Sequence, residues 1–234
     1  VEPWQEQRER LATAFGIEAL PVPAKRLREA AVVVWAVKPQ LFDEAARAAA
    51  PYIGHALQLS VMAGVTCARI AAASGSARVV RAMPNTPALI GEGIAGLVAT
   101  PEVSALERAE VEAVLAPTGR LLWLEREEQL DTVTALSGSG PAYFFYICEA
   151  LVEAASDLGL SAAQARELAL ATCGGAAALA LQSPEPLATL RERVTSKGGT
   201  THAALESLRA DGVAEALQRA VRAAAARAAE LGRA

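Results

Sequence analysis

Along the first half of the chain the apolar positions change their spacing several times, and each change marks a new element. From Glu6 to Phe15 they fall at helical intervals, and Gly16 follows where a C-terminal cap belongs. The stretch AAVVVWAVKPQ breaks that rhythm. Residues 31–37 form a continuous apolar run rich in β-branched side chains, closed by Lys38 and Pro39. Such a run predicts a strand buried on both faces, as parallel sheets require. A helix over residues 40–50, a strand in ALQLSVMAG, a short helix after Thr66 and a strand in ARVVRAM continue the alternation. The runs IAGLVAT and GRLLWL then flank the helical stretch VSALERAEVEAVLAP. Strands alternating with helices predict an α/β doubly wound sheet, and the pattern ends near Leu130, so residues 1–130 are expected to form one domain.

After Asp131 no further strand pattern occurs, and residues 131–234 are expected to form an all-helical second domain. SGSGPAYFFYICEALVEAASDLG places Ser139 and Gly140 ahead of Pro141, the order of cap residues and first-turn proline, with Gly159 in the position of a C-terminal cap. Ser161 and Gln164 have capping-box spacing. The helix body that follows, ARELALATCGGAAALAL, is small and apolar on nearly every side, which is not the pattern of a helix facing water. Near the end, Val213, Leu217, Val221, Ala224, Ala228 and Leu231 recur at helical intervals on an otherwise charged helix. That narrow seam suits a partner helix, of the same domain or, as the favoured reading, of a second copy.

Composition narrows the function. With 53% apolar and 21% charged residues among 234, the chain has the make-up of a well-packed soluble protein. The net charge of -4, with no basic stripe and no aromatics interleaved with Lys or Arg, argues against nucleic acid as a partner. The three cysteines, Cys67, Cys148 and Cys173, are far apart in the sequence and fit neither a disulfide framework nor a zinc spacing, so a cytoplasmic protein without a metal site is expected. No apolar stretch is long enough for a membrane span, and no secretory signal opens the chain.

In an open parallel sheet ligands sit beyond the carboxyl ends of the strands. Three such ends are AVKP, MAGV and RAMPNTP. Lys38 and Gly64 taken singly are compatible with a solvated strand end and an ordinary turn. In PNTP two prolines bracket Asn85 and Thr86, holding an amide and a hydroxyl in one rigid loop, a device that also serves a purely structural turn. A different feature is SKGGTT, residues 196–201, at the mouth of a helix. The first turn of a helix leaves backbone N–H groups without partners and attracts anions. Gly198 and Gly199 let the backbone approach a carboxylate, and Thr200 or Thr201 can add a hydroxyl, although simple N-capping by threonine accounts for the same residues.

Five blocks, AVKPQ, AGV, RVVRAMPNTPALIGEG, LSGSGPAYFF and RVTSKGGTTHAAL, together resemble the pyrroline-5-carboxylate reductases in order and spacing over essentially the whole chain. The resemblance implies a Rossmann-like domain that binds NADPH or NADH, followed by an all-α dimerisation domain. It implies homodimers, with a decameric ring of dimers as a larger assembly. The reaction implied is hydride transfer to the C=N carbon of 1-pyrroline-5-carboxylate, giving L-proline. By the same resemblance Ala36, Val37, Lys38, Pro39, Ala63 and Asn85 line the cofactor crevice, Ser196, Gly198, Gly199, Thr200 and Thr201 hold the substrate carboxylate, and Thr201 hydrogen-bonds the ring nitrogen. The chain has two histidines and no Ser-His-Asp constellation, in keeping with chemistry carried by a cofactor. His202 reads as a first-turn surface residue.

Departures from the family pattern are Pro23, Ala31 and Lys197, where Asn, Asp and Pro are common. The family's Gly-rich phosphate loop is not found in these residues, and it is expected with its strand upstream of Val1. If Val1 ends a strand, Glu2 stands where a carboxylate can accept hydrogen bonds from the adenosine ribose and repel a 2′-phosphate, against which Arg8 and Arg10 could swing toward one. The alternatives are a reductase of a related cyclic imine and a non-catalytic dimeric assembly protein.

Overall fold

In a computed structural model, which describes residues 1–233, the apolar runs of the first half form a five-stranded sheet ordered β1 to β5. The strands are β1 (Val32–Trp35), β2 (Leu57–Ser60), β3 (Val79–Met83), β4 (Gly93–Ala99) and β5 (Gly119–Trp123). Helix α1 (Gln5–Phe15) precedes them and ends on Gly16, whose φ of 64° is left-handed and whose N–H donates to the Ala12 carbonyl. Crossovers run through α2 (Phe42–Ile53) and α3 (Cys67–Ser74), the latter capped by Thr66, and α4 (Ala105–Leu115) connects β4 to β5 from a capping box of Ser104 and Glu107.

Helices cover both faces because the central strands are apolar on both. Phe42, Ala46, Ala49 and Ile53 recur at helical intervals and bring α2 onto one face, with Ile70 of α3, Trp35 and Val79. Val111 and Leu115 of α4 pack on the other face against Leu57, Leu59, Val80 and Leu97. All four residues of β2 are buried, two of them polar. Gln58 is satisfied inside the core: its Oε1 accepts from Trp35 Nε1 at 2.9 Å, and its Nε2 donates to the carbonyls of Ala56 at 2.9 Å and Ile53 at 3.1 Å.

Three details differ from the sequence expectations. First, β1 is not buried on both faces, and Val34 remains 48% exposed. Among the described residues β1 pairs with β2, and a cavity of about 500 Å³ lined by Val32, Val33, Val34, Leu41 and Ala45 lies against it. Second, the sheet is not wholly parallel. β1, β2 and β3 are parallel, but β4 runs antiparallel to β3, and β5 is parallel to β4. The link from Met83 to Gly93 is shorter than the dozen or so residues a parallel crossover needs, so the chain turns back. Third, Ser139 caps nothing. Helix α5 (Gln129–Val133) passes into a π-helical turn at Thr134–Gly138, and Ser139 has right-handed helical dihedrals with no side-chain cap.

The chain forms two compact units, residues 1–138 with the C-terminal stretch from Ala224, and residues 139–223. The second is built from α6 (Gly140–Asp157), α7 (Ala162–Gln182), α8 (Leu187–Arg193), α9 (Thr200–Ala210) and the first part of α10 (Val213–Arg233). α7 starts from a reciprocal capping box between Ser161 and Gln164 and packs on α6. That packing buries Cys148 and brings it beside Cys173, so two of the cysteines distant in sequence are neighbours in space, both free thiols. No helix among the described residues is long and apolar enough to cross a membrane.

At one point β4 and β5 approach too closely for any side chain. A Cβ on Gly119, whose φ is 128°, would lie 2.1 Å from the Gly93 carbonyl oxygen. Gly119→Ala is expected to cost about 3 kcal/mol and to lower Tm by roughly 10 °C, from backbone strain and the clash together. Thermal denaturation followed by circular dichroism checks this, and an unchanged Tm would mean that the two strands have room to part.

Candidate functional site

Parallel pairing of β1, β2 and β3 puts their carboxyl ends on one edge of the sheet, so the segments after Trp35, Ser60 and Met83 lie side by side. Ala36 and Lys38 are exposed and Val37 and Pro39 half-buried where the chain leaves β1, and the Lys38 carbonyl accepts from the Leu41 N–H at 2.9 Å to form the turn into α2. Ala63 is exposed after β2, next to Gly64, which has a positive φ of 74°. Asn85, half-buried after β3, accepts the Ile94 N–H on Oδ1 at 2.9 Å. Its oxygen is therefore committed to closing its own loop, and its NH₂ group is the part left for a ligand.

A cavity of about 560 Å³ opens at the end of β1, lined by Glu2, Trp4, Glu6, Arg10, Ala36, Val37 and Lys38 among others. It gathers Glu2 with three of the residues after β1, whereas Pro39, Ala63 and Asn85 do not line it. Glu2 is fixed at both ends: its N–H donates to the Leu20 carbonyl at 2.9 Å, and its Oε1 accepts the Trp4 N–H at 3.0 Å. Arg8 cannot swing toward this cavity without losing the carbonyls of Glu2 at 3.0 Å and Pro3 at 2.7 Å, to which it donates. Arg10 and Lys38 are the cations that line it.

One polar group in this unit was not anticipated from the sequence. Arg81 is 8% exposed in β3, and its NH1 donates to Glu127 Oε1 at 2.6 Å. The same oxygen accepts the Cys67 N–H at 2.7 Å, at the start of α3. The available signal was a cation inside the otherwise apolar strand VVRAM, which cannot be buried without a partner. Burial, and next the Glu127 carboxylate beside it, push the Cys67 thiol up to about 12, so it stays protonated and unreactive at neutral pH.

In the second unit the residues from Val194 to Gly199 turn between α8 and α9. Thr195 Oγ1 donates to the Arg191 carbonyl at 2.6 Å, and the Gly199 N–H donates to the Ser196 carbonyl at 3.0 Å. Gly198 has a φ of 75°, which calls for glycine, and a Cβ on Gly199 would stand 2.4 Å from Ser196 Oγ, so a side chain there would have to displace the Ser196 hydroxyl. α9 begins at Thr200 with Gly199 as its N-cap and no side-chain cap. The Ala203 N–H is the first to reach back, to the Gly199 carbonyl at 3.1 Å, leaving the N–H groups of Thr200, Thr201 and His202 in the helix's unpaired first turn. Thr201 and His202 are half-buried, while Ser196, Lys197, Gly198 and Thr200 are exposed.

Known proteins match this chain over nearly its whole length. The family described as pyrroline-5-carboxylate reductase dimerisation matches residues 127–231. A pyrroline-5-carboxylate reductase of Pseudomonas aeruginosa is 44% identical over 98% of this chain and 85% of its own length. The chain belongs to the pyrroline-5-carboxylate reductase family. Among solved structures, a family member from Coxiella burnetii superposes with a TM-score of 0.92 at 35% identity, covering 98% of this chain and 86% of that one. A pyrroline carboxylate reductase of Plasmodium falciparum with NADP bound has a TM-score of 0.81 at 29% identity, covering 88% and 79%. Family membership confirms the fold class: a Rossmann-like domain followed by an all-α dimerisation domain.

Proposed function

We propose that this chain reduces 1-pyrroline-5-carboxylate to L-proline with NADPH or NADH, the last step of proline biosynthesis, in the cytoplasm. The observation that carries the proposal is 44% identity to a pyrroline-5-carboxylate reductase across 98% of the chain. The residues after β1 fit a dinucleotide: an apolar floor of Ala36 and Val37, with Glu2, Arg10 and Lys38 as hydrogen-bonding and charged groups around it. When bound, the nicotinamide nucleotide supplies the hydride. Ala36, Val37, Lys38, Pro39, Ala63 and Asn85 orient it from one edge of the sheet, and Glu2 meets the adenosine ribose. Ser196, Gly198, Gly199, Thr200 and Thr201 hold the imine's carboxylate, whose charge suits the unpaired N–H groups and positive end of α9. The Thr201 hydroxyl then hydrogen-bonds the ring nitrogen. A neutral donor orients the ring without fixing a charge beside it, so catalysis is mainly positioning.

Imine-dependent oxidation of NADPH and NADH tests the activity directly, and its absence with both cofactors would remove it. Thr201→Val is expected to keep the fold and cofactor affinity but to lower turnover at least about tenfold, equivalent to about 1.4 kcal/mol of transition-state stabilisation. Unchanged steady-state turnover would take Thr201 out of the mechanism.

The second unit's surface supports self-association. Phe144, Phe145 and Tyr146 of α6 and Leu179 and Leu181 of α7 are each more than half exposed in the single chain, an apolar surface that calls for a partner. A homodimer is expected, with a ring of five dimers as the larger assembly, and light scattering on the full chain reads both masses. Changing Leu217 and Val221 together to Lys should split or unfold the assembly; a native monomer for the unmutated chain would defeat the idea.

For cofactor choice, Glu2 repels a 2′-phosphate while Arg10 and Lys38 attract one, and Arg8 is tied to carbonyls. With the carboxylate fixed in place by the Trp4 N–H, a modest preference for NADH is expected. Comparing kcat/KM for the two cofactors at one imine concentration checks it, with Glu2→Ser moving the ratio toward NADPH. A preference for NADPH of about tenfold or more in the unmutated enzyme would show that Glu2 does not act on the ribose.

A further inference from the structure

We propose that Glu127 and Arg81 form a positioning pair that holds two strand ends of the cofactor crevice in register, and so set the affinity for the nicotinamide nucleotide. The inference rests on the reading that this edge of the sheet binds that cofactor.

The geometry is specific. A single carboxylate oxygen, Glu127 Oε1, accepts both Arg81 NH1 from β3 and the Cys67 N–H from the first turn of α3. Ala63, on the loop that leads from β2 into α3, lies four residues before Cys67; Asn85 lies four residues beyond Arg81. One side chain therefore ties the segment after β2 to the strand that ends in the Asn85 loop. The carboxylate also occupies the positive N-terminus of α3, which removes that terminus as a site for the cofactor's phosphates.

Stability does not account for the pair. Side-chain exposure is 10% for Arg81 and 30% for Glu127, and Arg81 Nε is buried with no hydrogen-bond partner. Taking both charges out of water offsets much of their attraction, and apolar residues of similar size generally serve a core at least as well. What such residues cannot do is hold an N–H of one loop and a side chain of a neighbouring strand on the same atom.

Two variants test this in the full chain. Arg81→Met with Glu127→Leu removes the pair and leaves no buried charge unpartnered, whereas Glu127→Gln keeps a carbonyl oxygen for the Cys67 N–H but removes the charge. The readout is the Kd of NADPH and of NADH, from nicotinamide fluorescence without imine, alongside Tm and the KM of the imine. The double variant is expected to fold, to raise the cofactor Kd about tenfold and to leave the imine KM within about twofold, with Glu127→Gln shifted less in the same direction. A merely structural pair would lower Tm and leave the Kd unchanged, and that result in either folded variant overturns the proposal. If the unmutated chain binds neither cofactor, the reading of the crevice fails, and the positioning role with it. If it binds cofactor but does not reduce the imine, only the substrate assignment fails.

Discussion

Burial of the central strands on both faces is the constraint from which the first unit follows. Leu57, Leu59, Val79, Val80 and Leu97 are at most 1% exposed, and each such side chain contributes about 1.5–3 kcal/mol on leaving water. No single layer of helices can cover two faces, so α2 and α3 cover one and α4 the other. The parallel crossovers through α2 and α3 then deliver every strand end from β1 to β3 to the same edge. That edge collects Ala36 to Lys38, Ala63 and Asn85 from distant parts of the sequence, and it is made of turns because its backbone groups are not engaged in the ladder.

The same double burial sets what polar groups may enter. Gln58 is wholly buried and every polar atom of its amide has a partner, so it joins β1, through Trp35, to the C-terminal end of α2. A fully satisfied neutral amide strengthens a core and fixes its register. Arg81 differs: it is charged, it lies in the next strand, and one of its nitrogens has no partner. A group with that imbalance is a poor choice for packing alone, and its carboxylate partner meets the backbone at the start of α3, where the loop after β2 ends. The contrast between two buried polar side chains in adjacent strands separates a structural role from a positioning one.

Features whose cause is local were legible in the sequence. Gly16 and the capping box at Ser161 depend on residues within one turn, and each of the five strands falls within an apolar run. Features set by distant partners were not. The direction of β4 depends on the length of the Pro84–Glu92 link. Ser139, Gly140 and Pro141 look like a helix start, yet the chain enters them already helical from the π turn. Arg81 and Glu127 are 46 residues apart, and nothing in the run containing Arg81 says which carboxylate answers it. The glycines of the SKGGTT loop were legible as a need for backbone space, but Asn85's commitment of its oxygen to Ile94 shows only in three dimensions.

The second unit obeys the opposite rule, for its helices are apolar without enclosing an interior. α7 has 21 residues, and within the chain it buries only Ala165 and Ala169, although Ala, Leu, Gly and Cys make up most of its length. Small residues let helix backbones approach closely, and long aliphatic ones beside them need a surface to fill, so the pattern suits interlocking with another helical layer. The family that matches residues 127–231 is one of dimerisation. For a unit that folds only on association, apparent stability rises with protomer concentration. The SKGGTT loop and α9 belong to this unit. The sheet of the first unit, by contrast, encloses its own core on both faces.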